Sequence, residues 1–438
     1  MVRLEEWSSP GTYFRCGTRH RIRLIIPLRR SFREWFVSPE NEYRGVCKLY
    51  LSERRAEGNR MARYLKVGVV ATVVALGVVV AFTAQPGRLG VGSGESLTVE
   101  DYTPRSTLVV AEHLVPRAKF PVIDVHSHHR PGVRGERWDT IVGEMDQLNL
   151  QVLVNLSGGS GETLARSVQA IESSEHPNRM VFFANLDFSD GVTPGFGVGA
   201  AAQLERDVAA GAVGLKVFKN FGLTVRDGAG RRVQVDNPEL DPVWQMCARL
   251  DIPVLIHTGE PSEFFEPVDQ HNERWLELML RPGRRLPADR NPTFEAIMGE
   301  RDRLFTRHPD TRFIAAHMGW HANDLGRLGA MLDRMPNVVV GTGAVLYEFG
   351  RQPRAARSFF DKYADRVLFG KDSYAPDEFP YYWRTFETED EYFDYYRRYH
   401  AFWKLYGLGL SDEVLRKVYH ENALRVVPGI SPVRFLTD

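Results

Sequence analysis

Between residues 121 and 372 one pattern repeats: a short run that is apolar on both faces, then a stretch with the spacing of an amphipathic helix. The runs fall at 121–127, 151–157, 179–186, 213–219, 253–258, 312–318, 337–343 and 366–372. Helical stretches lie between them, for example at 162–174, 198–210, 240–250, 293–307, 322–335 and 354–364. A strand apolar on both faces must be covered on both faces, which is the situation of a parallel strand under helices. Eight such units predict an α/β fold, a (β/α)8 TIM barrel. An open doubly wound sheet would need a glycine-rich phosphate loop after its first strand, and the segment HSHHRPG at 126–132 does not supply one.

In a barrel, functional groups project from the C-terminal ends of the strands. The first run ends in Asp124-Val125-His126-Ser127-His128-His129. His126 and His128 are two apart and share one face of an extended strand, whereas His129 breaks that parity and is expected on the rim. The fifth run ends in His257, the sixth in His317 and the eighth in Asp372. Imidazoles and a carboxylate arriving at one mouth from distant parts of the chain suit zinc or another divalent transition metal. With 3 cysteines in 438 residues, a disulfide scaffold and a cysteine-rich zinc module are both excluded.

These residues stand in the motifs VIDVHSHH, GAVGLKVFKN, VLIHTGE, FIAAHMGW, VLFGKDS and ENALRVV. Together the motifs resemble the amidohydrolase superfamily. The likeness is to the amidohydrolase-related branch that includes aminocarboxymuconate-semialdehyde decarboxylase, resorcylate decarboxylases and several lactone hydrolases, and it spans residues 119–428. The resemblance implies that His126, His128, His257 and Asp372 hold one divalent ion, zinc first and manganese as the alternative. It also implies that Asp372 handles the proton of the attacking water. His317 matches a residue that binds a second metal in binuclear relatives; in mononuclear ones it acts as base or polarises the substrate. The metal count turns on the fourth strand, where Lys216 and Lys219 have opposite parity. Lys216 fits the branch pattern and is expected to line the barrel within reach of substrate, which favours one metal over two.

The activity implied is cleavage of a C–O or C–N bond in a small lactone, ester or amide, by a water whose pKa the metal lowers to about 7. The alternative is non-oxidative decarboxylation of an aromatic or unsaturated carboxylic acid by the same kind of site. A second alternative is an exported binding barrel that has lost activity. Further substrate contacts are expected from residues that follow strand ends: Arg130, Trp320 and Tyr374, and Arg274 and Trp275 in the long loop between strands five and six. Cys247 is expected in the core. The aromatic stretch 377–405 is expected to form helices packed on the barrel, or a homodimer contact. The acids Glu387, Glu389, Asp390, Glu391 and Asp394 within it argue against a nucleic-acid platform.

The formal charge of zero hides an uneven chain: residues 1–90 carry +9 and residues 91–438 carry −9. A mildly acidic barrel again speaks against nucleic acid. Residues 1–60 are a basic, irregular leader, read as an upstream extension of a frame that starts at Met61. Residues 67–84 contain no charge and follow Arg60, Arg63 and Lys66, which is the form of a signal peptide or membrane anchor spanning 61–85. Residues 86–118 are a linker and lead-in, and 119–438 the barrel with its C-terminal helices. The expectation is an exported protein, anchored with the barrel facing the periplasm or cell exterior, or secreted after cleavage.

Overall fold

The computed structural model describes Tyr13–Phe14, Ile22–Arg23, Thr98, Asp101 and residues 104–435. The chain divides into two units, residues 1–96 and 97–438. In the first, one short antiparallel pairing joins Tyr13 to Arg23 and Phe14 to Ile22. The leader and the apolar run at 67–84 otherwise lie outside the described residues. Among the described residues, no helix is long and apolar enough to cross a membrane.

The second unit is built on one parallel sheet. Its strands are β1 (Val122–His128), β2 (Leu150–Asn155), β3 (Met180–Asn185), β4 (Ala212–Val217), β5 (Val254–Ile256), β6 (Phe313–Ala315), β7 (Val338–Gly341), β8 (Val367–Leu368) and β9 (Asp372–Ser373). Neighbours along the sheet run β8-β7-β6-β5-β4-β3-β2-β1-β9. β8 and β9 are two pieces of the eighth expected run, separated by residues 369–371. β8 pairs with β7 and β9 pairs with β1, so this one run is bonded to both edges and the sheet closes into a parallel α/β barrel. Val125 N donates to Phe369 O at 3.0 Å across the seam.

Helices cover the outside because their apolar faces match it. Leu325–Arg334, for instance, buries Leu325, Leu328, Met331 and Leu332 at helical spacing, and Asp324 caps it by accepting from Arg327 N. Two apolar layers result. Leu153, Leu215 and Val217 face the helices. Ile123, Val125, Val152, Val154, Leu156, Phe183, Leu255, Ile314 and Leu368 fill the interior, where Ala423, Val426, Val427 and Phe435 join them. That C-terminal segment lies at the N-terminal end of the strands, since His420 bonds Pro121 O and Asn422 Nδ2 donates to Val367 O. The opposite end is left open for chemistry.

The aromatic stretch departs from the expected helices. Its one α-helix is Phe379–Glu387, entered through the 3-10 turn Pro376–Glu378. Amides of Leu408 and Leu410 take the carbonyls of Thr385 and Phe386, which ends the helix, and Phe393 then pairs with Leu405 in both directions. Packing on the barrel is as expected: Phe379, Tyr382, Trp383 and Phe386 are buried around Phe369. Cys247 is fully buried in the outer layer.

Gly214 lets the interior close-pack, because a Cβ there would lie 2.5 Å from the Phe183 ring. Gly214→Ala is therefore expected to destabilise the barrel by about 1–3 kcal/mol. Chemical denaturation should show a lower midpoint at unchanged slope; an unchanged midpoint would contradict this packing.

Candidate metal centre

β1 does not run as an unbroken pleat. Ile123 and Val125 point into the interior core, yet the next residue, His126, also faces inward, and the pairing register with β2 shifts between Asp124 and Ser127. Such a bulge re-aims the side chains that follow it. His126 and His128 then share one face, as the sequence spacing predicts, with ring centroids 5.3 Å apart. β9 pairs in register with this segment, Asp372 opposite Ser127. Asp372 Oδ1 lies 3.2 Å from His126 Nε2 and 3.5 Å from His128 Nε2. One ligand atom from each of the three residues falls within 4.8 Å of the others.

β5 ends at Ile256, and His257 continues its bonding by donating from N to Val217 O at 3.0 Å. After β6 the chain does not continue as the strand expected to residue 318. His317, Met318, Gly319 and Trp320 all have positive φ, between 50° and 61°. A left-handed turn costs roughly 1–2 kcal/mol for each residue other than glycine. It is held by Arg301 Nη1, which donates to Gly319 O at 2.6 Å, and by His317 Nδ1 at 2.7 Å from Gly343 O. The turn lays His317 between His126, with centroids 5.0 Å apart, and His257, at 4.2 Å. Trp320 stacks on His317 at 4.5 Å.

The hydrogen bonds assign the tautomers. A carbonyl only accepts, so His317 Nδ1 carries the hydrogen bonded to Gly343 O. A neutral His317 then has a lone pair on Nε2, and His257 Nδ1, 3.1 Å away, must be the donor to it. That leaves a lone pair on His257 Nε2, which is buried and has no hydrogen-bond partner. Both ring nitrogens of His126 are likewise buried without a partner in hydrogen-bonding geometry. His128 Nδ1 bonds Ser157 Oγ at 2.8 Å, which fixes the ring with Nε2 toward Asp372.

Electrostatics keeps the imidazoles of His126, His257 and His317 neutral. Burial, helped by the nearby Lys216 charge, holds His126 and His257 well below the usual histidine range. Burial and His257 push His317 down to about 3. Burial alone would raise Asp372, but the adjacent His126 and His128 outweigh it and hold the carboxyl well below its ordinary value. Neutral imidazoles and an ionised carboxylate are the protonation states that metal ligation requires. Unpartnered buried nitrogens beside an anionic carboxylate therefore fit a divalent cation at His126, His128 and Asp372. His257 lies outside that tight group and meets it through His317.

The remaining candidates separate clearly. Lys216 is fully buried inside the barrel, its Nζ has no partner, and burial lowers it to about 7. Lys219 is half-exposed and pairs with Glu260, whose Oε2 also lies 3.8 Å from His257 Nε2. Trp320 lines the mouth, its buried Nε1 without a partner. Tyr374 is half-buried, donates to Glu144 Oε2 at 3.0 Å and packs at 4.9 Å on His129. His129, expected on the rim, is buried against Ser127 Oγ. Arg130 is exposed after β1, and Trp275 is half-buried at the start of the helix Trp275–Leu280. By its loop position Arg274 suggests a substrate contact. It is instead 2% exposed, paired with Glu277 and stacked 4.5 Å from the Tyr347 ring. Residues that the sequence reading passed over include Ser157 and Glu260. Ser157 ends the second run, and Glu260 lies two residues past the fifth.

The family comparison decides what this barrel is. The amidohydrolase family model matches residues 158–429. The chain belongs to the amidohydrolase family. No curated protein matches the chain. Among solved structures, this amidohydrolase is similar to an uncharacterized TIM-barrel protein from Bordetella bronchiseptica. Identity there is 18% and the TM-score 0.44, over 70% of this chain and 98% of that one. It is also similar to 2,6-dihydroxybenzoate decarboxylase in complex with 2,6-dihydroxybenzoate, at 18% identity and TM-score 0.43, covering 70% and 99%. A third likeness is to a dihydroxybenzoic acid decarboxylase from Polaromonas with bound manganese and 2-nitroresorcinol. There the identity is 17% and the TM-score 0.44, covering 70% and 96%.

The Arg274–Glu277 pair braces the loop between β5 and β6 of the amidohydrolase internally through Arg284 and ties it to His400. Burial by itself would raise Glu277, but His400 and Arg274 outweigh it and bring it down to about 2. A carboxyl depressed on folding stabilises above its unfolded pKa of about 4.3, and that contribution disappears as pH falls toward the folded value. Glu277→Gln is expected to cost about 3–5 kcal/mol at pH 7, with the deficit closing by about pH 2. Denaturant titrations across that range check it; a deficit independent of pH would contradict it.

Proposed function

We propose that this amidohydrolase hydrolyses a C–O or C–N bond of a small lactone, ester or amide with one divalent ion, zinc or manganese. His126, His128, His257 and Asp372 would hold the ion. The observation that carries the reading is the His126–His128–Asp372 group, His126 buried and the other two half-buried, with unpartnered nitrogens on His126 and the carboxylate ionised. The ion, when bound, supplies an electrophile and makes water acidic enough to act as nucleophile near neutral pH.

The chain's own groups do the rest. Asp372 is the anionic acceptor within reach of the reacting atoms. As the water oxygen bonds to the carbonyl carbon, its proton passes to the Asp372 carboxylate. As the C–O or C–N bond breaks, the same proton goes to the leaving atom. His317 has a lone pair and no hydrogen on Nε2, so it orients His257 and can take a proton but has none to give. Trp320 covers the His317 and His257 rings and offers an unused N–H to a substrate oxygen. The Lys216 amine has no ion-pair partner in the barrel interior, and in its protonated form its positive charge favours negative charge developing on the carbonyl oxygen.

A panel of lactones, esters, amides and aromatic acids, with and without a chelator, tests the reading alongside metal analysis. The expected result is about one divalent ion per chain and hydrolysis that chelation abolishes and zinc or manganese restores. Asp372→Asn should fall about 10²–10⁴-fold. Hydrolysis indifferent to chelation would overturn the metal mechanism. Carbon dioxide release from an aromatic acid, with no hydrolysis, would assign the carboxy-lyase alternative instead.

A further inference from the structure

We infer that Asp124 is a positioning residue whose single carboxylate oxygen fixes, through their backbone amides, both strand irregularities from which the candidate metal ligands project. The inference rests on the metal reading above. Asp124 is 1% exposed. Its Oδ1 accepts from His126 N at 2.9 Å and from Lys371 N at 3.1 Å. One amide belongs to a candidate ligand on the β1 bulge; the other belongs to the residue joined directly to Asp372.

The backbone inventory shows why the carboxylate is needed. A bulge and a strand interruption take amides out of the sheet ladder, and a buried amide left without an acceptor is destabilising. Across residues 369–371, Phe369 N donates to Val418 O and Phe369 O accepts from Val125 N. Thr342 Oγ1 takes Gly370 N and donates to Gly370 O, both at 3.1 Å. Lys371 N has Asp124. Gly370 is the point of closest approach, since a Cβ there would meet His126 Cβ at 2.8 Å. No ion pair competes for the role: the Lys371 ammonium turns away to Ser373 O and Glu378. Asp124 Oδ2 has no hydrogen-bond partner at all. The function of this side chain is therefore carried by one acceptor atom, which asparagine can reproduce and alanine cannot.

Amide hydrogen exchange on the metal-free full chain, combined with zinc affinity from competition with a chromophoric chelator, tests the inference. In Asp124→Ala the His126 and Lys371 amides should exchange at least about tenfold faster while the outer helices keep their protection. Zinc affinity should fall about 10–100-fold, as for other residues that orient metal ligands. Asp124→Asn should stay within about threefold of wild type in both readouts. If the alanine variant does not fold, Asp124→Ser, whose hydroxyl is too short to span both amides, should expose at least one of them. Full protection of both amides in the alanine or serine variant would overturn the inference, as would an asparagine variant that behaves like alanine. A wild-type chain that binds no zinc would instead remove the metal reading, and the exchange rates would still decide the role of Asp124.

Discussion

The structure depends on how the sheet closes. One run of chain has to bond β7 at its start and β1 at its end, and it does so by breaking at residues 369–371. That closure sets Asp372 opposite Ser127, between the two histidines of β1. The same seam that completes the barrel therefore assembles the carboxylate and the imidazoles. It requires small residues where chains cross: a Cβ at Gly343 would sit 3.1 Å from His126 Nδ1, and one at Gly370 would be closer still to the His126 side chain.

The mouth is organised by burial and by strain. Burial keeps the histidines neutral and leaves Lys216 without a partner, so ring lone pairs rather than ring charges face the centre. Strain is concentrated there as well. His317, Met318, Trp320, Ala344 and Asp372 all have positive φ without being glycine. Unfavourable backbone of this kind persists where surrounding contacts over-determine it. Arg301 and the Gly343 carbonyl do so for the left-handed turn after β6.

Much of the barrel could be read from the sequence, because burial on both faces leaves a continuous apolar run and helices show their period. The eighth run at 366–372 was correct in extent but not in continuity, since nothing local reports that its two ends pair with different neighbours. The turn at 317–320 was read as the end of a strand: Ala315, Ala316 and Met318 extend an apolar run, and Gly319 alone hints at positive φ. The two-residue spacing of His126 and His128 is informative because the irregularity between Asp124 and Ser127 still leaves both rings on one face. Arg274 was misplaced because its environment comes from afar, with Tyr347 and His400 closing over the pair it forms with Glu277. Charge in a long loop does not reveal whether it faces substrate or a buried partner.

The central claim is that a metal ion binds where the closure seam meets β1. Anomalous diffraction from crystals of the full chain soaked in zinc or manganese tests this most directly. The account predicts one strong peak per barrel, at bonding distance (about 2.0–2.2 Å for zinc) from His126, His128 and Asp372, with His257 completing the set. A barrel that stays empty at this position, or an ion bound elsewhere with these four residues unliganded, would contradict it.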